Sequence, residues 1–461
     1  MDSKPSPFVP AAPTPRKGPP STLQMIRIAY VNPLELWQEP SFNERWTSRP
    51  GMGGRPVVIA NDPGLIRHVL VDNAKNYCMS VIRQKILLPM LRDGLLTAEG
   101  EMWKRSRKSM APVFTPRHIF GFAGSMLERA RIFATRYKDG GTVDFSDDMT
   151  NLTYDILAET LFSGEIAGDP VGFERQAARL FETMGRVDPL DFVRAPDWLP
   201  RFTRIRGRKT LAYFRKVVAD TMEMRRKRMA RDPDGVPEDF LTLLLRAEGP
   251  GGLSAEEIKD NIITFIFAGH ETTARSLGWT IYCLAEAPWE REKVEAEIDH
   301  VVATVDDPTQ WLDAMPLTRA AFEEAMRLFP PVPSLSRKAI ADDRYQDLEI
   351  PAGAQVVVSP WTVHRHKLFW EQPNAFMPER FHPGARDRID RYQYLPFGIG
   401  PRICIGASFA MQEAMIALGV LMSQYRFDTL PETKPWPVQK LTTQPRGGLP
   451  MRVSKRNGIR H

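Results

Sequence analysis

Cysteine is scarce in this chain: Cys78, Cys283 and Cys404 are the only three in 461 residues. Three cannot build a disulfide framework, and with no Cys-x-x-Cys spacing they also argue against a structural zinc site. The usage fits a reducing compartment, and the protein is read as cytoplasmic. Long apolar runs are lacking too. The longest, Ala414 to Met422, is nine residues between Glu413 and Ser423, against the ~20 that a membrane helix needs. The amino terminus has no apolar signal core. Charge of one sign is in short supply: 62 Lys plus Arg against 56 Asp plus Glu leaves +6, which gives nucleic-acid binding little support. With 43% hydrophobic residues the chain is not disordered along its length.

Proline is what the chain has in excess, 40 in all, seven of them between Pro5 and Pro20. That stretch, residues 1–22, reads as a disordered tail. Residues 23–455 show no second low-complexity linker and no internal repeat, so one large domain is expected, followed by a short tail at 456–461. Helical spacing, an Asp cap and a first-turn Pro predict a helix from Asp62 to Asp72. Met149–Phe162 and Leu211–Arg231 are helical as well, whereas strands are brief, at Pro56–Ile59 and Gln355–Ser359. The fold class is mainly α with a minor β part. One element stands apart: Ser254-x-x-Glu257 is a capping box, and helical patterning runs on to Ala287 before Pro288. At 1.5 Å per residue that helix is about 50 Å long, so it must pass through the middle of a large globule.

Chemistry concentrates in Phe397-Gly398-Ile399-Gly400-Pro401-Arg402-Ile403-Cys404-Ile405-Gly406. Glycines let backbone pass close to a large flat object. A cation and a following helix start favour thiolate over thiol. The combination describes a sulfur ligand offered on a loop to a metal cofactor.

This segment resembles the signature of the cytochrome P450 family of haem-thiolate monooxygenases, and the chain looks like a soluble bacterial-type member. Every position of the Phe-Gly-x-Gly-x-Arg-x-Cys-x-Gly pattern matches, and three further family motifs follow the family order. The resemblance implies haem b (iron protoporphyrin IX), with Cys404 as the iron's axial ligand, favouring O–O cleavage, and with Phe397, Gly398 and Gly406 beside the cofactor. Glu324 and Arg327 lie at i, i+3 on one helix face. By resemblance they join Arg380 of Phe376–Phe381 in a structural triad without a catalytic role.

The third motif, Ala268-Gly269-His270-Glu271-Thr272-Thr273, lies in the long helix. A glycine inside a helix costs about 1 kcal/mol, so the small pair points either to a ligand close by or to helix packing. The resemblance favours the ligand: the helix crosses the distal haem face past Ala268 and Gly269, Thr272 hydrogen-bonds dioxygen and Glu271 relays protons. A zinc-protease reading of His270-Glu271 fails because position 274 is Ala. Trp103, Arg107, Arg337 and Arg402 match the residues that hold the haem propionates.

Other features have plainer readings. The basic clusters Arg204–Lys209 and Arg225–Arg228 read as solvated helix ends. Phe265, Phe267 and Met184 suit a substrate cavity or a core equally well. His364-Arg365-His366 looks like a metal pair, but in the family that stretch is a structural bend. The function expected is insertion of one oxygen atom of O₂ into a small, apolar organic substrate. No flavin or nicotinamide motif is seen, so electrons are expected from a separate ferredoxin or flavodoxin with its reductase. A peroxygenase using hydrogen peroxide would typically lack the acid–Thr pair, which is intact here. A haem-based sensor or ligand carrier would need an output domain, and its oxygen-activating residues would be superfluous.

Overall fold

The computed structural model describes residues 6–51, 54–168 and 198–456. Internal contacts group the chain into two compact units. The larger comprises Met1–Cys78, Met126–Leu152 and Thr272–His461, the smaller Met79–Ser125 and Thr153–Glu271. Among the described residues no helix is long and apolar enough to cross a membrane.

In the larger unit, β-branched residues form the strands Pro56–Ala60 and Gln355–Val358, which pair in parallel with Val58 opposite Val356. Trp46–Pro50 joins one side. Leu335–Ala339 joins the other, setting Arg337 opposite Val356. The Asp62 carboxylate accepts the Leu65 N–H at 3.0 Å and starts the helix Pro63–Arg67, as its sequence predicts; the chain then widens into a π-turn over His68–Asp72. Leu65, Ile66, Val69 and Leu70 pack with Val58, Val356, Leu395 and Ile399 in one buried cluster. The approach to the cysteine motif is therefore anchored in a core, where hydrophobic burial is strongest.

The amino-terminal expectation is corrected from residue 6 onward. The Phe376 N–H donates to the Phe8 carbonyl at 2.7 Å, and the Phe8 ring meets Tyr282 edge-on at 5.7 Å. Arg16 and Gln38 form a parallel bridge. Extended, proline-stiffened chain loses little further entropy when it is tied down. A capping box on Ser21 and Gln24 then opens the helix Thr22–Val31. At the other end Arg456 belongs to the fold, paired with Asp299 at 2.7 Å.

The smaller unit is helical. Phe202–Arg231 begins earlier than its amphipathic pattern suggests. Its Arg225 corrects the solvated-cluster reading, because the side chain is fully buried and donates to Asp239, Thr242 and the Phe162 carbonyl. Arg226 pairs with Glu248, Lys227 with Glu223 and Arg228 with Glu165, so this cluster is internally neutralised. Phe265 contacts Phe114 at 5.3 Å and Phe267 contacts Phe214 at 6.3 Å. Both are buried core residues. Met184 lies outside the described residues.

The long helix runs Ala255–Glu286. Both halves of its capping box form: Glu257 accepts the Ser254 N–H at 2.8 Å, and Ser254 accepts the Glu257 N–H at 3.3 Å. Residues up to Glu271 belong to the smaller unit and those from Thr272 to the larger.

Candidate functional site

In the larger unit the cysteine loop is built by three backbone bonds. Gly398 N–H donates to Leu395 at 3.1 Å, Ile403 N–H to Gly400 at 3.0 Å and Cys404 N–H to Phe397 at 2.9 Å. Gly398 and Gly400 have φ of 70° and 77°, the left-handed region that other residues enter only at a cost. A Cβ on Gly400 would also overlap the Leu70 carbonyl oxygen, while one on Gly398 would lie 3.8 Å from Leu335. So the loop rests on the π-turn and on the strand Leu335–Ala339. Gly406 is the N-cap of the helix Ala407–Gln424, which places Cys404 just before a helix N-terminus, a setting that favours thiolate. Cys404 is exposed, and Phe397, Gly398, Arg402 and Gly406 are half-buried around it in sequence.

Two cations of the propionate set belong to the same unit. Arg337 projects from the strand two residues after Leu335, and its Nη1 donates to the Ser336 carbonyl at 3.2 Å. Arg402 closes the 3₁₀ turn Gly400–Arg402.

Behind the loop lies a buried ionic framework. Glu324 and Arg327 are both fully buried. Arg327 donates to both Glu324 oxygens at 2.6 and 2.8 Å, to the His364 and Pro373 carbonyls at 2.7 Å each, and to the Ala375 carbonyl at 2.9 Å. All five guanidinium N–H donors are thereby used, which is what makes a buried cation tolerable. Arg380 approaches Glu324 at 3.4 Å, completing the triad. His364 carries the framework to the loop: its Nδ1–H donates to the Arg327 carbonyl at 3.2 Å and its Nε2 accepts the Leu395 N–H at 2.8 Å. Burial, reinforced by Arg327, holds its pKa well below the usual imidazole value. His366 is likewise occupied, with Nε2–H donating to the Glu44 backbone carbonyl at 2.9 Å. The histidine pair is structural.

In the smaller unit Trp103 and Arg107 share the helix Gly100–Met110 one turn apart, both half-buried. In the long helix Ala268 is exposed and Gly269 half-buried, between buried Phe267 and His270. A Cβ on Gly269 would meet the Leu157 methyls at 3.3 Å. Helix packing is thus one demand on this glycine, and Ala268 beside it is exposed. His270 Nδ1–H donates to the Ile266 carbonyl at 2.5 Å, and the His270 carbonyl accepts the Thr153 hydroxyl at 2.9 Å. Glu271 is buried, 5% exposed. In the larger unit Thr272 is half-buried, and its carbonyl accepts the Ser276 hydroxyl at 3.0 Å.

The donor set fits haem. Among the described residues no group of three or more His, Cys, Asp or Glu could hold a metal ion. A single soft thiolate suits an iron whose remaining ligands come with a macrocycle. Arg337 and Arg402 suit that macrocycle's carboxylates. Glu413 was missed as more than a boundary: it flanks the longest apolar run, yet it lies buried within the helix Ala407–Gln424.

Comparison with known proteins gives a consistent answer. The Cytochrome P450 family model matches residues 46–451. Cyclooctatin synthase of Streptomyces melanosporofaciens is 30% identical over 404 residues, covering 87% of each chain. LUTEIN DEFICIENT 5 of Arabidopsis thaliana, a chloroplastic protein, is 29% identical over 432 residues, 88% of this chain and 71% of that one. Among solved structures, the haem domain of cytochrome P450DA superimposes with a TM-score of 0.79 at 24% identity, covering 97% of this chain and 99% of that one. One haem domain thus matches nearly the whole chain, in line with the single large domain expected. The chain belongs to the cytochrome P450 family and is a haem-thiolate monooxygenase.

Proposed function

We propose that this enzyme inserts one atom of O₂ into a small, apolar organic substrate in the cytoplasm, with electrons from a separate ferredoxin or flavodoxin and its reductase. The observation that carries the site assignment is Cys404, exposed on a glycine-built loop whose supports are buried. When bound, haem supplies the redox-active iron that activates dioxygen. Cys404 would ligate it. By family position, Trp103, Arg107, Arg337 and Arg402 would be its propionate residues, with Phe397, Gly398, Gly406, Ala268 and Gly269 on the stretches beside it.

The remaining chemistry belongs to the chain. The Thr272 hydroxyl holds a proton and a water at Oγ1, and Glu271, buried beside it in sequence, relays further protons to it. The net charge of +6 suits an acidic donor protein. Its association then slows as salt passes ~0.1 M, where the Debye length is about 10 Å.

The test is the carbon monoxide spectrum of the reduced protein, which should show the band of axial thiolate. Cys404→His abolishes that band. Cys78→Ser and Cys283→Ser leave it intact, since Cys283 is fully buried and burial pushes its thiol pKa up. A normal band in Cys404→His overturns the assignment.

A further inference from the structure

The hairpin of Asp343–Tyr345 and Leu348–Ile350 brings one acid against the π-turn His68–Asp72. The Asp343 side chain is 10% exposed, and its Oδ2 gathers three donors. His68 Nε2–H donates to it at 2.9 Å and Asn73 Nδ2–H at 3.0 Å, and the Tyr77 hydroxyl is the third. An ionised carboxylate only accepts, so Nε2 of His68 carries a proton. Oδ1 accepts the Arg344 N–H at 2.8 Å. Burial pushes the Asp343 carboxyl up, but the bonds from Tyr77, His68, Arg344 and Asn73 outweigh it and hold the group below its usual range.

The three donors bracket one element. His68 opens the π-turn and Asn73 closes it, with the Asn73 N–H returning to the His68 carbonyl at 2.8 Å. Tyr77 opens the strand that follows. A second residue of the hairpin grips the approach: the Tyr345 hydroxyl donates at 3.0 Å to Asp62, whose carboxylate starts the helix Pro63–Arg67. Between these grips lies Leu70. Its carbonyl oxygen would overlap a Cβ on Gly400, and its side chain shares a buried cluster with Ile399. The Gly400 carbonyl in turn accepts the N–H of Ile403, the residue before Cys404. All of these residues belong to the larger unit. π-turns are rare and are found most often at functional sites.

We propose that Asp343 is a positioning residue for Cys404: by holding both ends of the π-turn it fixes the Leu70 surface on which the Gly400–Cys404 stretch rests. His364 secures the entrance of the loop through Leu395; Asp343 secures its middle. This rests on the reading of Cys404 as the iron ligand.

The test uses the full-chain holoenzyme and two readouts other than turnover. Amide hydrogen exchange is followed at residues 397–406, and the iron–sulfur stretching band is recorded by resonance Raman. Asp343→Ala should speed exchange at 397–406 by about tenfold or more, the factor for a lost bond to a charged group. The helix Pro316–Leu328 should keep its wild-type rate. The iron–sulfur band should broaden, because a loosely held ligand samples several geometries. His68→Leu and Asn73→Ala each remove one donor and should give smaller increases, adding little on top of Asp343→Ala. His68→Gln, whose amide N–H can replace Nε2–H, should exchange as the wild type does. If Asp343→Ala does not fold, the single-donor variants carry the same test. The proposal is overturned if 397–406 exchanges at the wild-type rate, if every segment of the larger unit speeds up equally, or if the iron–sulfur band is unchanged. Cys404→His separates the two readings. A normal thiolate band there refutes the ligand reading; loss of that band, with Asp343→Ala like the wild type, refutes only the positioning role.

Discussion

His364 Nε2 accepts the Leu395 N–H at 2.8 Å, two residues before the Phe397 that opens the cysteine motif. Its other nitrogen donates to Arg327, which is paired with Glu324. One neutral imidazole thus couples a buried ion pair to the loop that presents Cys404. Both bonds require one tautomer, with the proton on Nδ1, and protonation of Nε2 would break the second.

His364→Phe removes both bonds and leaves a buried N–H and a buried carbonyl, so it should destabilise the protein by about 2 kcal/mol at neutral pH. The pH dependence has a definite sign. Burial and the neighbouring Arg327 hold the folded-state pKa well below the usual imidazole value of about 6.5. Above about pH 6.5 both states keep the ring neutral and its contribution is complete. Below that, the unfolded chain takes up a proton that the folded chain refuses, and stability falls with pH. Urea midpoints and haem retention between about pH 5 and pH 8 should show this acid-side decline in the wild type and a shallower one in His364→Phe. Equal slopes would remove His364 from the account.

The two glycines of the loop should differ in what they tolerate. Gly398→Ala meets only the left-handed backbone penalty, about 1–2 kcal/mol, because the nearest side chain leaves room at 3.8 Å. Gly400→Ala meets the same penalty and an overlap with the Leu70 carbonyl. Its loss in thermal stability and haem content should be clearly the larger. A reversed order would mean that the loop does not rest on the π-turn.

The cysteine motif was legible because ten consecutive residues carry it, each local in sequence. The capping box of the long helix was legible for the same reason. What stayed hidden depends on partners distant in the chain. Arg225 reads as one cation of a basic run until Asp239 and Phe162 enclose it. Phe8 lies among prolines and reads as tail until Phe376 and Tyr282 bind it. Gly269 leaves ligand clearance and helix packing both open, and the packing neighbour, Leu157, lies more than a hundred positions earlier. Glu413 looked like the boundary of an apolar run; the structure shows it to be part of the interior.

Thr272 supplies the sharpest test of the proposed proton handling. Productive oxygen transfer would consume protons delivered so that the O–O bond breaks, whereas two-electron-reduced oxygen that takes up two protons with that bond intact leaves as hydrogen peroxide. The Thr272 side chain is half-buried, next to the buried Glu271 in sequence. Its backbone carbonyl is engaged by Ser276, so the main chain holds its place without the side-chain hydroxyl. Thr272→Ala therefore deletes one hydrogen bond with little change to the helix. A bond to a charged group is worth about 1.5–3 kcal/mol, or a factor of roughly 10 to 150 in partitioning. The variant should keep its haem, its thiolate band and much of its donor consumption, while most electrons emerge as hydrogen peroxide. Product and peroxide counted together against donor oxidised give the partition directly. Unchanged coupling would take the hydroxyl out of the mechanism and leave exposed Ala268 as the remaining feature that marks this helix as ligand-facing.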